Sequence, residues 1–556
     1  GEIYNYVELR EELKTLGYDF HTNTDTEVLL AAYEEWGENC LNKLNGMWAF
    51  VIYDKRKNVL FGSRDRFGVK PFYYYLDSEL FAFASEIKSL ITIPHINTSV
   101  NSKAVFDYFV FNWQESEEEG FFKNICELQP SHGFHYCLST KAFKKWKYYS
   151  LKYSESWQSF DKSNLKHFTE KIKELVLNAV SLRLRSDVPV GSCLSGGIDS
   201  STIVCIVNEI LGNESIAQIG ERQRVFTACY ENDKAIDESK WAGLVAESTK
   251  TSWYRTFPNT KDFLEDLEDL VYTQDIPFGS TSIYAQYRVM KIAKESNIKV
   301  LLDGQGADEL FAGYQAYYRT FFAEILKNIN ISTFVRELRN LDNSSINMRF
   351  LLTSLAKLYS ARFFPPPIKR YLFKVNNKEF KYLNTDFWDE NSERLELLKD
   401  KADTSLNHML HKHINRQSLK SLLRYEDRNS MRFSIEARTP FADDIELIEY
   451  VFQIPSVYKI HNGWSKYILR ESIKGLIPGE IRLRKDKVGF ATPEFRWLNE
   501  MKNEFKEYIT TDLKEFINTK KILEDWDLLI NGQVKSGITT IWRFINFAVW
   551  KKVYGL

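Results

Sequence analysis

Three features are scarce or absent in this 556-residue sequence, and each absence excludes a class of protein. Cysteine occurs only six times and never as a C-x-x-C pair, which argues against a disulfide scaffold and for reduced thiols in a cytoplasmic enzyme. No apolar run approaches the ~18 residues that a membrane helix needs. Basic and acidic residues nearly cancel, at 74 against 75, so the chain lacks the overall basic charge that marks nucleic-acid binding.

The remaining composition is that of a folded protein. Hydrophobic residues make up 44% of the chain and charged residues 27%, the usual proportions for a globular protein. At ~150 residues per domain, the length allows two to four domains. Aromatic residues reach 15%, which indicates dense cores and internal interfaces.

Residues 1–145 have the pattern of an α+β unit with antiparallel sheet. Two apolar runs, 47–53 and 59–62, flank a polar turn and predict a β-hairpin. A second strand pair is predicted at 72–76 and 80–84. This first unit therefore reads as one domain.

A change of pattern follows. Residues 146–165 are polar, aromatic and weakly periodic, so we place a linker there. From 166 to 556 strands alternate with helices, for example strand 188–194 and helix 199–211, and the chain is mostly helical after Tyr314. This alternation predicts a second domain of the α/β class, with a parallel sheet and helices on both of its faces.

The strongest local motif is Ser195–Ser201, with the sequence SGGIDSS. It follows a predicted strand and opens a predicted helix. Its glycines allow a ligand to approach the backbone, and the helix start adds unpaired N–H groups and a positive dipole end. The motif therefore predicts a phosphate site without the lysine of a Walker loop. The alternative is a tight strand-to-helix turn capped by Asp199.

A second motif, Val300–Tyr314, combines a strand end with glycine-rich turns that present Asp308 and Glu309. Carboxylate oxygens suit Mg²⁺, which bridges ATP phosphates, and Asp199 is a further candidate ligand. The alternative is a helix start whose carboxylates are simply solvated.

These motifs carry a family resemblance. SGGIDSS resembles the pyrophosphate loop of ATP pyrophosphatase enzymes, and Val300–Tyr314 resembles the second signature of asparagine synthetases. Asp427–Phe441 and Lys466 resemble further family segments near the active site. In the N-terminal domain, Gly1–Asn5, Arg64–Tyr74 and Ala84–Leu90 resemble glutaminase signatures. The whole chain is thus similar to class II glutamine-dependent asparagine synthetases.

The resemblance implies a fold and a reaction. The expected fold is an incomplete Ntn-type antiparallel sandwich over residues 1–145, joined by the linker to an ATP-pyrophosphatase-like α/β domain over 166–556. The expected reaction is ATP-dependent amidation of L-aspartate to L-asparagine through β-aspartyl-AMP, with Mg²⁺ and with ammonia from glutamine. We expect a cytoplasmic enzyme acting on small molecules, assembled as a homodimer, with no nucleic-acid or membrane partner.

Site residues follow from the resemblance position by position. Lys466 and Asp308 are expected to be catalytic, and Asp199 and Asp308 to bind metal. Glutamine binding is expected at Gly1, Glu2 and Asp25. The expected ATP and pyrophosphate site comprises Leu194, Ser195, Gly196, Gly197, Asp199, Ser200, Ser201, Asp303 and Gly304.

Other residues have expected structural roles. Glu436 and Arg438 are interpreted as an ion pair between helices, and Asp427 and Arg428 as structural charges. The segment Asp275–Ser282 is expected near the acceptor carboxylate.

Two departures from the family pattern matter. The family's N-terminal cysteine nucleophile is missing, so we interpret the sequence as an N-terminally truncated member without the glutaminase half-reaction. Gln305 stands where asparagine synthetases often have Glu, and a neutral amide is no general base. Two alternatives stay open: an amidotransferase or cyclase for another carboxylate, such as a sugar acid, and a non-catalytic nucleotide-binding protein.

Overall fold

The computed structural model describes residues 1–213, 215–344, 346–360, 377–399, 405–415, 418–485, 489, 491–533 and 537–556. Between Val190 and Leu302 strands alternate with helices, as the sequence pattern predicts for the second domain. The strands are β1 Glu2–Ile3, β2 Gly46–Met47, β3 Ala49–Asp54, β4 Val59–Arg64, β5 Tyr73–Leu76, β6 Phe81–Ala84, β7 Ile125–Glu127, β8 His132–Cys137, β9 Phe143–Lys147, β10 Val190–Cys193, β11 Arg224–Ala228, β12 Ser252–Thr256, β13 Val300–Leu302 and β14 Glu436–Arg438.

Helices cover most of the remaining described chain. The α-helices are Tyr6–Thr15, Asp25–Trp36, Cys40–Lys43, Ile87–Ile91, Ser102–Phe111, Lys162–Arg183, Ile198–Asn213, Ser239–Thr249, Thr260–Gln274, Ile283–Glu295, Ala307–Phe311, Gln315–Lys327, Ile331–Arg339, Met348–Ser360, Thr385–Asn391, Leu406–Asn415, Ser418–Arg432, Pro440–Asp443, Ile445–Gln453, Ser456–Lys459, Tyr467–Ser472, Gly479–Arg482, Glu494–Glu500, Lys502–Glu507, Thr519–Glu524, Trp526–Ile530 and Gly537–Tyr554. None of the described helices is long and apolar enough to cross a bilayer.

The N-terminal part (residues 1–147) contains antiparallel sheets in the strand orders β3-β4-β8-β9 and β6-β5-β7, with β1 paired to β2. Both hairpins predicted from the sequence are present, since β3 pairs with β4 and β5 with β6 in antiparallel register. The first turn closes at Asn58, whose φ of 54° suits Asn better than a β-branched residue. The antiparallel prediction for this part is therefore confirmed.

The C-terminal part (residues 162–556) contains one parallel sheet in the order β12-β11-β10-β13-β14. Every neighbouring pair in it is parallel, which confirms the predicted parallel sheet. From β10 the chain first builds outward to β11 and β12, and then returns to add β13 and β14 on the other side of β10. The strand order thus reverses between β10 and β13, and ligands of open α/β sheets bind at such switch points.

The interpretation of Glu436 and Arg438 as an ion pair between helices was wrong. Arg438 Nε does lie 2.8 Å from Glu436 Oε1, but both residues belong to β14, the outer strand of the parallel sheet. The sequence Glu-Ala-Arg has little strand propensity. Its strand conformation comes from pairing with β13 at Leu301 and Leu302.

The helix Ser418–Arg432, here called the interface helix, connects the two parts. Its Lys420 lies 2.6 Å from Glu127, and its Asp427 lies 3.0 Å from Lys70. Apolar packing also crosses the boundary, because the rings of Phe122 and Trp550 contact at a centroid distance of 5.2 Å. The two parts therefore share buried contacts of both kinds.

Candidate active site

Two loops meet at the switch point of the parallel sheet. The anion loop (Ser195–Ser201) leaves β10 and enters the helix Ile198–Asn213. Ser195 N donates to Ser200 Oγ at 3.2 Å, and Gly197 N donates to Ser195 Oγ at 3.2 Å. These bonds fix the loop around the start of a helix of 16 residues, whose N–H groups and dipole favour an anion.

Gly196 of the anion loop serves packing as well as conformation. Its φ is +78°, and a Cβ there would lie 2.5 Å from Ala242 N and from Trp241 Cβ. The loop is thus pressed against the helix Ser239–Thr249. Gly196 and the fully buried Ser201 line neither of the cavities described below, so the structure separates them from the other predicted residues of this loop.

The carboxylate loop (Asp303–Gly313) leaves β13 beside the anion loop and presents Asp308. Lys466 Nζ lies 2.6 Å from both carboxylate oxygens of Asp199 and 2.6 Å from Asp308 Oδ1. Burial alone lowers the pKa of Lys466, but the two carboxylates outweigh burial and raise that pKa. The structure therefore brings together three residues predicted from separate motifs, because Asp199 and Asp308 both pair with the buried ammonium of Lys466.

Gly313 makes this arrangement possible. A Cβ at position 313 would overlap Asp308 Oδ1 and Lys466 Cε. The glycine that ends the carboxylate loop thus leaves the space in which the Lys466–Asp308 ion pair forms.

A cavity of about 270 Å³ opens over these residues. Ser195, Gly197, Asp199, Ser200, Asp303, Gly304 and Asp308 line it, together with Gln305 and Lys466. A second cavity of about 70 Å³ adjoins it and is lined by Leu194, Phe226, Ala228, Ile236 and Val289. Because both cavities share Ser195, Ser200, Glu238 and Asp303, they form one cleft with a polar end and an apolar end.

Three residues at or beneath the cleft, namely Arg484, Glu238 and Glu426, were not predicted from the sequence. Arg484 NH1 lies 2.8 Å from Glu238 Oε1 and donates to Gly196 O at 3.3 Å, so this pair braces the anion loop. Glu426 lies beneath the cleft, beside Asp303. No motif marks any of the three, since each reaches the cleft through tertiary packing.

The described residues fit Mg²⁺ only together with bound phosphate. Asp199 and Asp308 offer the hard oxygen donors that Mg²⁺ prefers, and Lys466 already occupies the position between them. Across the described ranges, no group of three or more His, Cys, Asp or Glu side chains forms a metal cluster. Mg²⁺ at this site would take most of its ligands from nucleotide phosphates and water, with these two carboxylates as protein donors.

The residues expected to bind glutamine lie together around β1, outside both cavities. Asp25 Oδ2 accepts a hydrogen bond from Ile3 N at 3.0 Å. Glu2 Oε2 lies 3.6 Å from Arg438 NH2, and burial raises the pKa of Glu2 to about 7.

The segment Asp275–Ser282 reaches the cleft only at its end. Ser282 lines the larger cavity. Asp275 is instead buried 3.2 Å from Arg428 and 2.9 Å from Lys88. Asp275 therefore lines neither cavity and contributes to the contact between the two parts.

Comparison with known proteins covers both parts of the chain. The model of the asparagine synthase family matches residues 171–552, and that of the glutamine amidotransferase domain matches residues 1–149. The second match gives no support to the interpretation of a truncated chain without the glutaminase half-reaction.

Curated relatives agree with these matches. The chain is 30% identical over 568 residues to asparagine synthetase [glutamine-hydrolyzing] 1 of Bacillus subtilis, covering 100% of this chain and 84% of the relative. It is 29% identical over 575 residues to asparagine synthetase 3 of the same organism, covering 100% and 86%. A putative asparagine synthetase of Methanocaldococcus jannaschii is 35% identical over 331 residues, covering 59% and 61%. By the extent of these matches, the chain belongs to the asparagine synthase family.

Proposed function

We propose that the protein is an asparagine synthetase of the glutamine-hydrolysing type, which uses ATP to amidate L-aspartate through β-aspartyl-AMP. The observation that carries the proposal is Lys466, held between Asp199 of the anion loop and Asp308 of the carboxylate loop. A buried cation at a phosphate site suits a reaction in which negative charge develops on phosphorus and then on an acyl carbon.

We infer one orientation for ATP in the cleft. Its apolar end, with Phe226 and Val289, suits the base. Its polar end suits the phosphates, which meet the hydroxyls of Ser195 and Ser200 and the N–H groups at the helix start. We assign the residues that the sequence predicts for ATP and pyrophosphate binding to that role. Among these residues, Gly196 and Ser201 act by shaping the anion loop.

The chain's own residues then perform two steps. An oxygen of the aspartate β-carboxylate bonds to the α-phosphorus while the bond to pyrophosphate breaks, and Lys466 neutralises the developing charge. Ammonia then bonds to the acyl carbon, the bond to AMP breaks, and the nitrogen loses a proton. Mg²⁺, when bound, neutralises phosphate charge.

The N-terminal part is assigned to nitrogen supply. We propose residues 1–145 as a glutaminase domain of Ntn type with Gly1, Glu2 and Asp25 at its glutamine site, 146–165 as the linker, and 166–556 as the synthetase domain. The homodimer and the cytoplasmic location remain predictions from the sequence.

Pyrophosphate release tests the proposal. The protein is supplied with Mg·ATP, ammonium and one carboxylate from a panel of L-aspartate, L-glutamate and a uronic acid. We expect aspartate to give pyrophosphate, AMP and asparagine in equal amounts. Lys466→Gln should lower the rate by roughly 10²- to 10³-fold, while Lys474→Gln, at an exposed position on the same segment, should not. Absence of pyrophosphate with aspartate would contradict the proposal.

Glutamine replaces ammonium in a second arm of this assay. Glutamate released in step with asparagine would show that the N-terminal part supplies the ammonia. The same assay separates the alternatives, because another acceptor gives pyrophosphate with its own carboxylate, and a non-catalytic protein gives none.

A further inference from the structure

A buried carboxyl group lies directly beneath the cleft. Glu426 belongs to the interface helix, is 2% exposed and lines neither cavity. Its carboxyl interacts electrostatically with the side chains of Asp303 and Gln305, both of which line the larger cavity. Glu426 therefore reaches the cleft only through these two residues.

A chain of buried amides fixes Glu426. Gln286 Nε2 donates to Glu426 Oε2, Asn429 Nδ2 donates to Gln286 Oε1 at 2.9 Å, and Gln274 Nε2 donates to Asn429 Oδ1 at 2.8 Å. We call Gln286, Asn429 and Gln274 the amide chain. Each member donates on one side and accepts on the other, so the whole chain has a single direction.

The amide chain begins at the boundary between the two parts. Arg424 NH1 donates to Gln274 Oε1 at 3.2 Å, and Arg424 Nε lies 2.7 Å from Glu115 of the N-terminal part. Since a guanidinium only donates, it orients the Gln274 amide, and the orientation of each following amide is determined in turn. The donor that reaches Glu426 is therefore set by an interdomain ion pair.

Burying the carboxyl group of Glu426 at this position costs folding free energy. Glu426 Oε1 makes no close hydrogen bond to any residue that the structure describes, and burial raises the pKa of Glu426 well above its usual range. The pKa of Asp303 is raised by burial too, so the two interacting carboxyls favour sharing one proton. An apolar side chain would usually stabilise this position more, which indicates that Glu426 is kept for the cleft.

We propose that Glu426 is a positioning residue for the polar end of the cleft, holding Gln305 so that its amide nitrogen faces Glu426 and its amide oxygen faces the cavity. The inference rests on the proposed function. In this orientation Gln305 Oε1 accepts a hydrogen bond from an N–H of ammonia. Gln305 and Glu426 together thus present an acceptor at the position where asparagine synthetases often have a single glutamate.

A double-mutant cycle tests the pair. Glu426→Gln lets the Gln305 amide turn either way, because a carboxyl oxygen that faces Gln305 is replaced by an amide that can present either its oxygen or its nitrogen. We expect kcat/KM for ammonia to fall by roughly 10- to 100-fold, with the KM for ATP unchanged within about twofold. Gln305→Glu brings a third carboxyl into the group and should lower activity as well.

The combined variant Gln305→Glu, Glu426→Gln restores one acid and one amide with their places exchanged. It should recover at least about tenfold over the product of the two single effects. The matched control is Glu324→Gln, a carboxyl with 3% exposure whose pKa burial also raises, outside both cavities. It should change stability without a selective effect on ammonia.

The outcomes separate the two proposals. If wild-type protein gives no aspartate-dependent pyrophosphate, the proposed function is wrong. If the wild type is active and Glu426→Gln behaves as Glu324→Gln does, or the double variant is additive, the positioning role is wrong. Should Glu426→Gln fail to fold, Gln286→Leu removes the donor to Glu426 and must show the same selective loss for ammonia.

Discussion

At the scale of single residues, the site depends on one lysine that pairs with two aspartates. Lys466 neutralises two aspartates that come from loops more than 100 positions apart in the chain. Its backbone φ is +50°, an uncommon conformation for a residue with a long side chain, and such conformations cluster at functional sites. The local geometry is therefore sensitive to small steric changes around the ion pairs.

Gly313→Ala tests this sensitivity. The added Cβ would occupy the space of the Lys466–Asp308 pair, and we expect kcat to fall by about 100-fold, since a displacement of ~1 Å in a catalytic group has that effect. Gly212→Ala is the control, because a Cβ there meets nothing within 4 Å. Steady-state kinetics at saturating ATP is the measurement, and equal activity of the two variants would contradict the packing argument.

His461 leads to a prediction of how the free energy of unfolding depends on pH. It is 4% exposed and stacks on Phe160 at a centroid distance of 3.7 Å, and burial lowers its pKa to about 3. Between its ordinary pKa of ~6.5 and 3, the unfolded chain binds a proton that the folded chain does not. Stability from this group is complete above ~6.5 and is lost as the pH falls, by at most about 1.4 kcal/mol per pH unit.

His461→Phe keeps the aromatic stack and cannot take up a proton. The free energy of unfolding of this variant should therefore fall less than that of wild type between pH 6.5 and 4.5, in urea titrations. His167→Phe, at an exposed position, should follow the wild type. Identical pH slopes for wild type and His461→Phe would refute the assignment.

At the scale of elements, the interface helix carries contacts of two kinds. Lys420, Arg424 and Asp427 pair with residues of the N-terminal part. Glu426 lies between Arg424 and Asp427 in the sequence, and Asn429 follows Asp427. Both belong to the hydrogen-bond network beneath the cleft. A charged, weakly hydrophobic helix is thus buried on several sides, and it is stable there because most of its polar groups have partners.

Breaking one such pair should be costly. Lys70 and Asp427 are 3.0 Å apart, with side chains 8% and 6% exposed. Asp427→Leu leaves a buried ammonium unpaired, and we expect a loss of about 3–5 kcal/mol in unfolding free energy. Lys70→Met combined with Asp427→Leu should recover most of it. Lys171→Gln, which breaks the exposed pair with Glu174, should cost less than about 1 kcal/mol.

The elements also show what the sequence could predict. Hairpins and the β10–helix unit follow from local periodicity and turn residues, and the observed bounds lie within a few positions of the predicted ones. The strand β14 could not be predicted from local periodicity. Two of its three residues are charged, and they form a strand only by pairing with β13. Likewise, Ser195 and Lys466 are marked by motifs, whereas Glu426 and Glu238 reach the cleft by tertiary packing, which no local pattern encodes.

At the scale of the whole molecule, the two parts share cores. Tyr4, Met47 and Phe67 pack in the same buried cluster as Ile172 and Leu302. A second cluster joins residues from the antiparallel strands to the C-terminal helix, as in the contact between Phe122 and Trp550. An interface of this kind resembles a core more than a surface contact between independent domains.

Thermal unfolding should therefore be a single cooperative transition. Scanning calorimetry of the full chain is expected to give a van't Hoff enthalpy close to the calorimetric one. Asp427→Leu should lower the temperature of this transition without splitting it. Two resolved transitions in the wild-type protein would show that the parts unfold independently.

The double role of the interface helix also limits how such enzymes can be recombined. Neighbouring residues on it serve different parts, as Lys420 and Arg424 contact Glu127 and Glu115 while Glu426, two positions after Arg424, supports the cleft. A chimaera that takes its N-terminal part from one relative and its C-terminal part from another would mismatch one of these sets. The exchangeable unit is the helix together with its partners, so a working graft must carry Glu115, Glu127 and Lys70 along with Ser418–Arg432.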